Sequence, residues 1–129
     1  MKYVIIFFSL ILPNLAFTKI IEKFPLACIC DKSINALKYF DCKQKVSGTQ
    51  LDILDSKNTQ NTKIISSYDE KEYQLNSSSE DQIEFIYETE DYESKILINA
   101  ELDMDFSILY KQYNKEWAYD LKCVSLKKE

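Results

Sequence analysis

Between residues 82 and 125 apolar side chains recur at every second position, and this period constrains the fold more than any other feature. In Gln82–Thr89, Ile83, Phe85 and Tyr87 fall on one side, and Gln82, Glu84 and Glu88 on the other. Lys95–Leu102 repeats the pattern with Ile96, Ile98, Ala100 and Leu102. Asp105–Tyr113 repeats it with Phe106, Ile108 and Tyr110. Trp117–Ser125 sets Trp117, Tyr119, Leu121 and Cys123 opposite Asp120 and Lys122. Successive side chains of an extended chain point to opposite faces, so a two-residue period predicts strands with one apolar face. Glu90–Ser94 and Asn114–Glu116 are short polar separators, and Asn tolerates positive φ, so hairpins are expected there.

The first half is less regular. Ser33–Asp41 reads as a short helix, capped by Asp31 or Ser33, with Ile34, Leu37, Tyr39 and Phe40 as its apolar side. Gly48 marks a turn, Gln50–Leu54 and Thr62–Ser67 read as strands, and Asp55–Asn61 and Asn76–Glu80 as polar loops. Asn76-Ser77-Ser78 also fits a glycosylation sequon. The fold class expected from the whole is α+β, mainly β: an antiparallel meander sheet in the C-terminal half with a short N-terminal helix, cross-linked by disulfides.

The cross-links follow from the start of the chain. Met1-Lys2 precedes an apolar run, Tyr3–Leu12, ended by Pro13, with small residues at Ala16 and Thr18. That is the layout of a secretory signal peptide, and the run is shorter than a spanning helix needs. Residues 1–18 are therefore expected to be removed, leaving one exported domain, 19–129, in the periplasm or the medium, without membrane insertion. Cys28, Cys30, Cys42 and Cys123 all follow the signal, and an even count in a small exported chain reads as two disulfides. Cys28 and Cys30 stand on opposite sides of an extended chain, so each is expected to bond one of Cys42 and Cys123, in an order left open. The one-residue gap fits neither a zinc site nor a redox pair, and Lys19, Glu22, Lys23 and Pro25 break the pattern of a lipidation signal at Cys28.

What the chain lacks narrows its chemistry. It has no histidine, all 16 basic residues are lysine, and Gly48 is its one glycine. Histidine-assisted nucleophiles, bidentate arginine clamps and glycine-rich phosphate loops are thereby absent. No metal or other cofactor is expected; Asp103–Ser107 begins like a calcium loop but continues with Ile108 where Gly is needed. The expected role is therefore non-enzymatic.

Charge points to a partner. Asp69–Asp105 carries 13 acidic residues against two lysines, a net of −11, between mildly basic flanks. Such a field repels nucleic acid and attracts cationic proteins. The expectation is a small exported binding protein, inhibitor- or immunity-protein-like in size, export and charge but without a shared motif. Its acidic face engages a cationic protein through Glu84, Tyr87, Glu88, Glu90, Asp91, Tyr92 and Glu93, where tyrosine alternates with acid. Two alternatives remain open at this level. One is a structural or accessory envelope component. The other is a small carboxylate-based hydrolase or ligand carrier, with a carboxylate-lined cavity on a curved sheet.

Overall fold

A computed structural model describes residues 17–33, 35–46, 48–55 and 62–127. Residues 1–16 of the expected signal, Ile34 of the expected helix and residues 56–61 of the first polar loop lie outside this set. The elements run β1 (Leu26–Cys30), α1 (Ala36–Lys45), β2 (Thr49–Asp55), β3 (Lys63–Ser66), β4 (Glu72–Ser78), β5 (Gln82–Glu88), β6 (Tyr92–Asn99), β7 (Asp103–Tyr110) and β8 (Lys115–Ser125). Each strand pairs antiparallel with the next, and β1 pairs with β8, so the sheet closes into an eight-stranded barrel. The expected antiparallel meander is present, but it spans the whole chain and has no free edges.

Period two survives closure as inside against outside. Leu26, Leu51, Ile64, Tyr73, Ile83, Phe85, Ile96, Ile98, Met104, Phe106 and Leu121 fill the interior, each at most 1% exposed. The charged members of the same strands face outward, the reverse of a barrel that faces lipid. No helix among the described residues is long and apolar enough to cross a membrane.

The cysteines take one of the two orders left open. Cys28 and Cys123 are directly opposed residues of β1 and β8 and are bonded to each other, with 4.0 Å between their Cα atoms. Cys30 bonds Cys42 and ties α1 to the end of β1. On the chain-entropy account the first bond, which spans 95 residues, stabilises by about 4–5 kcal/mol, and the second, spanning 12, by about 3.

The barrel ends differ. At the lower end a helical turn over 17–21 sends Ile20 into the core, followed by Phe24; Phe17, which lies within the segment expected to be removed, is buried there as well. The C-terminal tail secures it: Leu126 N–H donates to the Pro25 carbonyl at 2.8 Å and Lys127 Nζ to the Glu22 carbonyl at 3.2 Å. The Phe24–Pro25 peptide bond is cis. At the upper end lie α1 and the turns 67–71, 89–91 and 111–114.

Several local expectations shift. The helix starts at Ala36, later than the expected Ser33, with Asn35 rather than Asp31 or Ser33 as its cap; Asn35 Oδ1 accepts from Lys38 N–H at 2.8 Å. Asp31 instead caps a local turn, accepting from the Ser33 amide and hydroxyl. Leu37 and Phe40 point to solvent, because the disulfide turns the Cys42 side of α1 to the barrel. Asn76–Ser78, expected as loop, belongs to β4, with a bulge between Leu75 and Ser77. Pairing with β5 satisfies that polar backbone whatever its side chains. Ala100 and Leu102, expected on the strand, form the β6–β7 turn, where Leu102 has φ +66°. Asn114 has the anticipated positive φ of 48°. Gly48 has φ +147° where the chain leaves α1 for β2, a conformation L side chains rarely adopt.

Candidate functional site

The upper end of the barrel collects aromatic rings. Tyr73 (β4), Tyr87 (β5), Tyr92 (β6), Tyr110 (β7) and Trp117 (β8) all point inward near the rim and touch in strand order. The four successive centroid separations are 6.0, 5.9, 6.0 and 5.1 Å. Register makes this belt: Tyr92 opposes Tyr110, and Trp117 opposes Ile108. Each such pair contributes about 0.5–1.5 kcal/mol beyond burial.

The β3–β4 turn folds one more ring over the mouth. Buried Thr49 and Ser66 join hydroxyls at 2.9 Å, and Tyr68 N–H donates to Thr49 Oγ1 at 3.1 Å. The Ser67 hydroxyl accepts from Gln50 N–H at 2.7 Å. So fixed, Tyr68 meets Phe106 edge-on with centroids 5.5 Å apart. The buried Tyr73 hydroxyl donates to Asp69 Oδ2 at 2.5 Å and shares a 2.7 Å contact with Ser94 Oγ, anchoring the same turn from below. Burial, then the bond to Asp69, holds this phenol far above the usual tyrosine range.

Between that turn and the last turn of α1 lies a cup of about 200 Å³, lined by Lys45, Tyr68, Ile108, Tyr110, Trp117 and Tyr119. Burial raises the pKa of Tyr68 and Tyr119, helped by Asp69 beside the first and Asp41 beside the second, so both hydroxyls stay neutral.

The outer wall is acidic. Glu84, Glu93, Asp103 and Asp105 face outward from β5–β7, and Glu80, Asp81, Glu90, Asp91 and Glu101 occupy the turns. Among the described residues three ion pairs offset this charge: Lys95–Glu93 at 3.1 Å, Lys111–Glu88 at 2.8 Å and Lys122–Asp103 at 3.9 Å. Asp105 has no cation opposite it; its cross-strand partner is Asp120. A hydrogen bond shared with Asp120, then partial burial, then the charges of Asp120 and Asp103, raise Asp105 to about 6. Asp120 also borders a narrow crevice of about 30 Å³ under α1, with Asp31, Asp41 and Lys38.

The residues expected to bind a partner divide between these two places. Glu88 is paired to Lys111, which lowers its pKa, while Glu90 and Asp91 are exposed in the turn after β5. Glu84 accepts from Asn76 Nδ2 at 2.6 Å, and Glu93 pairs with Lys95. All five acids lie outside, whereas Tyr87 and Tyr92 point into the barrel, so the mixed tyrosine–acid patch is not one surface. The two-residue period requires this, since Tyr87 shares a face with Phe85 and not with Glu88. The Asp105–Asp120 pair and the cup had no sequence signal, because both need β8 placed beside β7 and the mouth closed. Among the described residues no group of three or more metal-ligating side chains comes together.

Comparison with known proteins leaves the chain alone: no family model, no curated protein and no solved structure matches it.

Proposed function

We propose that this chain is an exported, non-enzymatic binding protein whose acidic outer wall receives a cationic protein. The observation that carries the reading is Asp105 facing Asp120 across β7 and β8 without a cation between them. Like charges directly opposite in a sheet destabilise it, and a lysine or arginine from a partner relieves that repulsion on docking. Asp103 beside them and Asp31 and Asp41 across the crevice add the same sign of charge, offset in part by Lys122 and Lys38. Export is supported by the two disulfides, which persist in oxidising compartments, and by the signal-like N-terminus. The absence of histidine from the sequence supports a binding role over a catalytic one.

The test is titration of the oxidised protein with a lysine-rich and a glutamate-rich peptide at low and at high salt. Binding of the lysine-rich peptide alone, weakened by salt and by the double substitution Asp105→Asn/Asp120→Asn, supports the reading. Equal binding of both peptides, or indifference to salt, sinks it.

A specific observation favours a second reading, that of a ligand carrier: the barrel holds a cup. It is aromatic, however, not carboxylate-lined. The perturbed acid pair lies on the outer wall, and the crevice that Asp120 borders is about the size of one water molecule.

A further inference from the structure

We propose that the aromatic cup at the barrel mouth binds a small organic cation, an alkylated or quaternary ammonium. Tyr68, Tyr110, Trp117 and Tyr119 surround a space of about 200 Å³. A cavity of about 150 Å³ already holds a benzene molecule, so the cup admits one compact ligand. Aromatic faces carry negative quadrupole charge, and a ring of them recognises ammonium groups that cannot donate hydrogen bonds.

Three further observations favour a cation over a neutral or anionic guest. First, one ring of the cup already attracts an ammonium group: Lys115 Nζ lies 4.8 Å from the Trp117 ring centroid, a place that a guest cation would contest. Second, the carboxylates next to the cup, Asp69 and Asp41, act on the Tyr68 and Tyr119 hydroxyls. Third, the wall beyond the mouth is acidic, which raises the local concentration of cations. Lys45 opposes them. It is exposed on the last turn of α1, where its flexible stem lets the ammonium swing outward. Lys45 thus competes with the guest and weakens its binding. This inference does not depend on the protein partner proposed for the outer wall.

Trp117 is the chain's one tryptophan, so fluorescence excited selectively at tryptophan, beyond the absorption of the nine tyrosines, reports on the cup. Choline, its neutral isostere 3,3-dimethylbutan-1-ol, and benzoate are titrated into the oxidised protein at constant ionic strength. Saturable binding of choline is expected, at least about tenfold tighter than the isostere, as the loss of one cation–π interaction implies. Lys45→Ala is expected to tighten choline binding about two- to fivefold. Tyr110→Leu, at a ring 40% exposed, is expected to weaken it about tenfold; losing its contacts to Tyr92 and Trp117 lowers the thermal midpoint, and circular dichroism at the titration temperature checks that the barrel stays folded. Asp105→Asn/Asp120→Asn should leave it within twofold, which separates this site from the outer wall. No saturable signal, a preference for benzoate, equal binding of the isostere, or weaker choline binding in Lys45→Ala each overturns the proposal.

Discussion

Cys28 and Cys123 oppose each other in register across the one strand pair that joins the two ends of the domain. Every other pair in the barrel links neighbours in sequence, so this bond holds the contact with the greatest loop-closure cost. Replacing both by alanine is expected to lower the stability in urea by about 4 kcal/mol, and the Cys30→Ala/Cys42→Ala pair by less, about 3 kcal/mol. Denaturation midpoints of the two double variants check the order; a larger loss from the second pair would contradict it.

Asp105 gives the stability a pH dependence of definite sign. Its native pKa, about 6, lies above the ordinary 3.8, so its contribution is fully present below about pH 4 and is lost as the pH rises through 6. Because the residue is substantially exposed, solvent screening holds the effect to about 1 kcal/mol. Asp105→Asn should therefore stabilise the protein by about that amount at pH 7.5 and by nearly nothing at pH 4. Urea curves at the two pH values decide it; equal effects at both would refute the pairing with Asp120.

Tyr73 joins core and turn through one oxygen. Tyr73→Phe removes the hydroxyl that meets Asp69 and Ser94, and Ser94 is 1% exposed. Leaving that buried group unpartnered is expected to cost about 1–3 kcal/mol. Loosening of the Asp69 turn should also quicken amide exchange at Tyr68. A stability change without faster exchange there would show that the turn is held by the Thr49–Ser66 hydroxyls alone.

Asn114 occupies a left-handed conformation at the β7–β8 turn. Asn114→Gly should be neutral within about 0.5 kcal/mol, whereas Asn114→Val should destabilise by about 1 kcal/mol or more, because a β-branched side chain clashes at positive φ. Thermal midpoints measure the difference.

Legibility in the sequence tracked locality. Ile83, Phe85, Ile96, Ile98, Phe106 and Leu121 are inward as their alternation required, since the pleat alone sets which face a residue takes. The hairpin turn at Asn114 was legible for the same reason: its chemistry is that of one residue. β4 was missed because Asn76, Ser77 and Ser78 have loop-like side chains, and only pairing with β5 makes them a strand. Leu37 and Phe40 were misplaced because a helix's buried side is chosen by what it is tied to, here through Cys42.

The sequence by itself determined the strand-rich class, the inward and outward faces, the acidic middle and the need for two cross-links. These depend on side-chain type and on neighbours one or two positions away. Only the tertiary structure decided that β1 meets β8, that Cys28 takes Cys123, that Asp105 faces Asp120, and that rings from five strands and one turn ring a single mouth. Those are meetings of residues distant in sequence, and closure of the sheet, which no local pattern encodes, brings them together.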